Sequence, residues 1–356
     1  MSSGLGIVKR ATLDLYASYK SKEIAKHELS QLFWECTLRC NCHCLHCGSD
    51  CKVSSALPDM PVKDFIDVID GIIPHIGTKL PFVIFTGGEA LVRKDLEQAG
   101  KALYDRKIAW GVVSNGILMT QQRFDSLRRS GMHTATISLD GFKDEHVWLR
   151  GNPSAFDGAV NALKVFAKDE AFIYDVVTCV NLKNISYLND FKEFLISLGV
   201  KSWRIFTIFP EGRAAEHPEF QLSNDNFTQV LEFIKKTREE GRIKCSYGCE
   251  GFLGKYEMEV RDYPFDCHAG VNVASILIDG SISACPSIRA NYAQGNIHKD
   301  EFWNVWTNRF QPFRVRSWAK KGTCADCKMW KYCQGNGMHL HDSDGKLLVC
   351  HYQRIK

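Results

Sequence analysis

The sequence predicts an α/β fold: a partial (β/α)6 barrel followed by a cysteine-rich C-terminal extension. Three observations predict it. From residue 31 onward, short apolar runs alternate with amphipathic stretches, which implies right-handed βαβ units and a parallel sheet. No glycine-rich dinucleotide fingerprint accompanies them, so a curved, incomplete barrel fits better than a flat nucleotide-binding sheet. Polar motifs follow the apolar runs, where barrels carry their ligands.

Taken in order, residues 1–30 read as a polar, partly helical lead-in. The β-type runs are QLFWECT (31–37), FVIFTGG (82–88), WGVVSNG (110–116), TATISLDG (134–141), FIYDVVTCVN (172–181) and WRIFTIFPEG (203–212). Helical patterns cover about 62–74, 95–105, 120–130, 155–167, 185–198 and 222–240. TGGE, SNG, SLDG, TCVN and FPEGR sit at the ends of runs, so Asn115 and Asn181 are pocket candidates, though turn chemistry explains asparagine equally well. After about 240, cysteines and aromatics rise and helical periodicity fades. Residues 274–286 read as a hairpin around Asp279-Gly280. The expected division is 1–30, 31–240 and 241–356.

The 356 residues are 45% hydrophobic and 24% charged, the composition of a globular protein with a real core. No run approaches the roughly 20 apolar residues of a membrane span, and the N-terminus lacks a secretory apolar stretch. A cytoplasmic protein without membrane association is expected. The net charge of +4 gives no case for nucleic-acid binding. Fifteen cysteines in such a chain argue for metal rather than disulfides. Cys179 stands alone and reads as a core residue.

Six cysteines crowd into CTLRCNCHCLHCGSDC (36–51). One triplet has the spacing C-x3-C-x2-C: Cys40, Cys44 and Cys47. His43 blocks the register from Cys36, and Ser54 blocks that from Cys47. Three thiolates on a tight loop suit three irons of a cubane cluster, with the fourth iron open. Zinc usually takes four protein ligands in two pairs. Cys36, Cys42 and Cys51 read as packing or incidental residues, with alternative ligation or redox trapping as the second reading.

The loop CNCHCLHC resembles that of the radical S-adenosylmethionine enzymes, including the ring residue His46 before the last cysteine. The resemblance implies a TIM-like partial barrel and a 4Fe–4S cluster whose open iron binds S-adenosylmethionine. Reduction then gives a 5′-deoxyadenosyl radical, with flavodoxin or ferredoxin as the kind of electron donor expected. Gly87, Gly88 and Glu89 resemble the motif that holds the methionine amine. Ser138 and Asp140 resemble the ribose site, and Arg150 is positioned like the arginine that binds the methionine carboxylate.

The second field resembles the SPASM extension with its two auxiliary 4Fe–4S clusters. Cys267 and Cys285 bracket Gly280, and CADCKMWKYC supplies Cys324, Cys327 and Cys333, with Cys350 downstream. The last four match one auxiliary site. The other departs from the pattern: four positions beyond Cys333, after three intervening residues, the family places a further cysteine, and here stands Gly337. Cys245 and Cys249 are expected to complete that site, with His339 or His341 as substitutes.

The resemblance implies oxidative modification of a peptide or protein, such as a ribosomal precursor peptide, by crosslinking or another side-chain change. Formylglycine formation fits poorly, because Pro286 follows Cys285 where sulfatase-maturing enzymes carry an aspartate base. Radical oxidation of a small molecule or carbohydrate is the alternative enzyme reading; a zinc-binding interaction module is the alternative outside enzymes. Asp266 and Glu211 are candidate bases, with structural roles the simpler reading of both.

Overall fold

The computed structural model describes residues 5–355. Helix α1 (Ile7–Lys26) leads into β1 (Gln31–Thr37). There follow α2 (Val62–Ile76), β2 (Phe82–Gly87), α3 (Leu96–Asp105), β3 (Trp110–Ser114), α4 (Gln121–Arg129) and β4 (Met132–Ser138). Then come α5 (Lys143–Arg150), α6 (Ala155–Phe166), β5 (Ile173–Val180), α7 (Leu188–Ser197), β6 (Ser202–Thr207) and α8 (Asn224–Glu240). All six expected strands are present at the expected places. Their pairing from β1 to β6 is parallel throughout.

The sheet continues past the expected six. β7 (Lys244–Tyr247) pairs parallel with β6, and β8 (Val273–Ile276) pairs parallel with β1. β9 (Ser281–Ser283) and β10 (Gly295–Asn296) extend that edge antiparallel, so ten strands form one open sheet among the described residues. A division at 240/241 therefore assigns β7 and β8 to the extension although both belong to the barrel's sheet. The β8–β9 hairpin turns at Gly280, whose φ of 82° suits a residue without Cβ.

Aromatic side chains fix the barrel against its helices. Trp34 of β1 stacks on Phe65 of α2 at 4.4 Å, and Phe85 of β2 stacks on Trp110 of β3 at 4.9 Å. All four are fully buried, and each contributes about 2–3 kcal/mol by leaving water. The alternation of β1 puts Leu32, Trp34 and Cys36 on this face. Glu35 points the other way, buried, and takes Arg289 at 2.8 Å and the Ile278 amide at 3.2 Å. That ion pair ties the first strand to the C-terminal extension.

Two local differences from the sequence pattern have clear causes. The helix expected from 185 begins as a 3-10 turn (Ile185–Tyr187), because the Asn184 side chain accepts from the Asn181 amide and donates to the Cys179 carbonyl. Helix α5 was not expected; eight residues hold too little apolar periodicity to signal one. Among the described residues, no helix is long and apolar enough to cross a membrane.

Candidate functional site

The cysteine loop follows β1 and lies at the C-terminal ends of the strands. Its backbone is pinned from three sides. The amides of His43 and Leu45 donate to the carbonyls of Arg150 and Leu149 at the end of α5, both at 2.9 Å. Arg213, following β6, donates to the Cys44 carbonyl at 2.7 Å and to the Cys51 carbonyl at 3.1 Å. From the third side, Gly88 and Glu89 donate their amides to the carbonyls of Thr37 and Arg39. A Cβ at Gly87 would stand 2.0 Å from the Thr37 oxygen, and one at Gly88 2.4 Å from that of Arg39. Only glycine lets the end of β2 approach the loop this closely.

The loop and the strand ends enclose a cavity of about 190 Å³. Cys40, Cys44, Cys47, Glu89, Ser138 and Arg150 all line it. The three triplet thiols are the ones held toward thiolate. The neighbouring Cys42 lowers Cys40 and brings Cys44 down to about 7, with Arg150 adding to the latter. A hydrogen bond from Cys51 is the largest influence on Cys47, which falls to about 5 with help from Arg213. Cys42 and Cys51 are themselves pushed up as the donors. Both border the cavity beside the triplet. This donor set, three thiols from one loop around one cavity, fits a cubane cluster with an open iron.

Glu89 is 1% exposed, and burial raises its carboxyl against the hydrogen bonds that lower it. It accepts from the Leu91 amide (3.1 Å), the Ser114 hydroxyl (2.9 Å) and the Asn115 amide (2.7 Å). A carboxylate has about four acceptor positions, so one remains for a further donor. Arg150 donates through Nε to Asp140 at 2.6 Å and through Nη1 toward the Cys44 sulfur at 3.8 Å. Its Nη2 has no hydrogen bond among the described residues and is free to take an anion.

Asp140 is placed differently from the ribose-binding expectation. It does not line the cavity; it lies behind Arg150 and also accepts from the Cys179 amide at 2.9 Å. Burial works against its charge, but Arg150 and the His146 hydrogen bond hold the carboxyl well below the usual range. Asp140 therefore orients the guanidinium. Asn115 lines the cavity and donates to Asn41 at 2.7 Å and toward the Cys42 sulfur at 3.5 Å. Asn181 serves the turn after β5 instead, accepting from the Lys183 amide. Cys179 is half-buried at the end of β5, packed against the cluster of Leu149, Ile208, Ala214 and Phe220, with its sulfur within 4.8 Å of ligand atoms of His46 and Asp140. Arg213 is the residue that sequence reasoning missed; FPEGR marked its segment but gave no partner.

The second field resolves into two groups. Cys324, Cys327, Cys333 and Cys350 line one cavity of about 840 Å³. The Asn336 amide donates to the Cys333 sulfur at 3.2 Å. Cys249, Cys267 and Cys285 form the other group. Burial pushes Cys285 up to about 12, and the Cys249 and Cys267 thiols add to that rise. Cys245 is a correction. It is wholly buried within β7, and the charges that reach it are those of Arg238 and Lys192. In a strand, Cys245 and Tyr247 share the core face, while Cys249 lies beyond the strand end. Asp266 is a structural ion partner, 2.9 Å from Lys20 of α1, both buried.

Comparison with known proteins follows the same outline. Residues 34–195 match the Radical SAM superfamily, and residues 267–328 match the SPASM iron–sulfur cluster-binding domain. An AdoMet-dependent heme synthase of Oleidesulfovibrio alaskensis is 26% identical, covering 91% of this chain and 87% of its own. The mycofactocin maturase MftC of Mycobacterium tuberculosis is 27% identical, covering 86% and 78%. Among solved structures, anSMEcpe with bound AdoMet and the Cp18Cys peptide superimposes with a TM-score of 0.71 at 19% identity, covering 92% and 94%. Streptococcus suis SuiB bound to its precursor peptide SuiA gives 0.70 at 16%, covering 95% and 80%. At these identities the two structures speak for the fold alone.

Proposed function

Because the chain belongs to the radical SAM enzymes that carry a SPASM domain, we propose that it oxidatively modifies a side chain of a peptide or protein, by crosslinking or a related change. The observation that carries this reading is the convergence of Cys40, Cys44, Cys47, Glu89 and Arg150 on one cavity, with two further cysteine groups in the extension. When bound, the cluster and S-adenosylmethionine supply a hydrogen-abstracting 5′-deoxyadenosyl radical. The chain's own residues do the rest. Glu89 accepts the ammonium of the cosubstrate in its remaining acceptor position. Arg150, oriented by Asp140, takes the carboxylate, and Ser138 meets the ribose. Arg213 holds the loop still. The extension's auxiliary clusters offer a place for the electron released when substrate is oxidised, and flavodoxin or ferredoxin suits the reducing step.

The likeness to MftC supports a peptide substrate. The likeness to heme synthases supports a second reading, oxidation of a porphyrin. One experiment separates them. Anaerobically reconstituted protein is given S-adenosylmethionine, dithionite and either an iron porphyrin or short peptides encoded beside its gene. We expect 5′-deoxyadenosine release and a peptide that loses hydrogen by mass spectrometry. A converted porphyrin with every peptide unchanged would reverse the assignment, and no 5′-deoxyadenosine under any condition would remove both.

A further inference from the structure

The group Cys249, Cys267 and Cys285 lacks a fourth protein ligand once Cys245 is assigned to the core. We propose that His339 supplies it through a ring nitrogen, giving the first auxiliary cluster a Cys3His coordination. This inference rests on the iron–sulfur reading above.

The geometry of segment 337–339 carries it. The Gly337 amide donates to the Glu250 carbonyl at 2.8 Å, which fastens the segment beside Cys249. The Met338 amide donates to the Cys267 sulfur at 3.4 Å, which fastens it against the thiol group itself. Gly337 occupies the place where the pattern calls for cysteine. A Cβ built on Gly337 would lie 2.6 Å from His339 Cε1 and 2.9 Å from His339 Nδ1. The imidazole thus fills the space that a side chain at 337 would enter. Neither of its ring nitrogens has a hydrogen bond among the described residues; its ring contact is with Phe209, at 4.9 Å between centroids.

The ring nitrogens of His341 and His351 also lack hydrogen bonds among the described residues, so placement beside Gly337 is what separates His339 from them. His341 is buried edge-on against Trp318 at 5.2 Å and covers Gly335. His351 faces the Glu250 carboxylate at 3.4 Å and packs on Phe227. His268 is adjacent to Cys267 in sequence but exposed. A neutral imidazole in place of a thiolate removes one negative charge from a cluster's surroundings, and histidine ligation raises the potential of iron–sulfur centres.

The test uses the full-length chain with Cys40, Cys44 and Cys47 all changed to alanine, so that only auxiliary clusters assemble. The protein is labelled with 15N-histidine, reduced and examined by pulsed EPR. We expect about eight irons per chain and a strong nitrogen coupling that follows the histidine label. His339→Ala should abolish the coupling, His341→Ala should leave it, and His339→Cys should keep the irons, lose the coupling and lower the midpoint potential. A fully loaded protein without histidine coupling, a coupling that survives His339→Ala, or a wild-type extension that binds only four irons would each overturn the proposal. A parallel sample with the triplet intact tells the two failures apart. If its EPR signal still changes on adding S-adenosylmethionine, the enzyme reading stands and only the histidine assignment falls.

Discussion

The two cysteine fields solve the same problem in opposite ways. In the first, every donor comes from one eight-residue span, and the neighbouring backbone holds that span by hydrogen bonds to α5, to the end of β2 and to Arg213. In the second, donors come from residues 249 to 350, and the fold alone decides which of them meet. A contiguous loop can be read from spacing because the chain between its ligands is too short to go elsewhere. A thiol outside such a loop, like Cys245, cannot, because a strand of even one extra residue turns a side chain to the opposite face.

The sharpest way to break this contrast is to remove a thiol from the first field. Cys44→Ala should lose about four irons and all 5′-deoxyadenosine formation, read by iron assay and chromatography. Retained cleavage would mean that Cys42 can replace it and that spacing is a poor guide even here. The matching test in the second field pairs Cys249→Ala with Cys245→Ala. The first should lose the irons of one auxiliary cluster. The second should keep them all and cost about 1 kcal/mol of stability through its small buried cavity. Equal iron loss in both would return Cys245 to the ligand set.

A smaller effect tests the support beneath the first loop. Asp140→Asn leaves Arg150 buried without its anion, and should cost about 3 kcal/mol and weaken S-adenosylmethionine binding, measured by thermal melting and by titration. An unchanged affinity would show that Asp140 does not orient the guanidinium. The smallest expected change is Cys51→Ala. It removes a buried thiol that borders the cavity without belonging to the triplet, so iron content should hold while the EPR line shape shifts slightly.

The sequence was most informative where local rules act alone. All six expected strands fall where alternating apolar runs put them, and Cys40, Cys44, Cys47, Glu89 and Arg150 share one cavity as their motifs imply. It was least informative where a residue's role depends on a distant neighbour. Asp140 carries the right motif, yet Arg150 and the Cys179 amide claim its oxygens. Arg213 lies 169 residues from the Cys44 carbonyl it holds. β7 is four residues long, too short for periodicity to declare its parity, and so Cys245 was assigned to the wrong side. Cys42 and Cys51 fit no motif, and only the fold shows that both border the cavity.

The pairing of β1 with β8 has a consequence for how the molecule is made. β1 leaves the ribosome early, but its second neighbour follows roughly 240 residues later, about 10–50 seconds at ordinary translation speeds. During that interval the nascent chain exposes an unpaired apolar edge beside six reactive thiols. Protection from oxygen and from stray strand pairing is therefore needed during synthesis, before the finished enzyme exists to be protected.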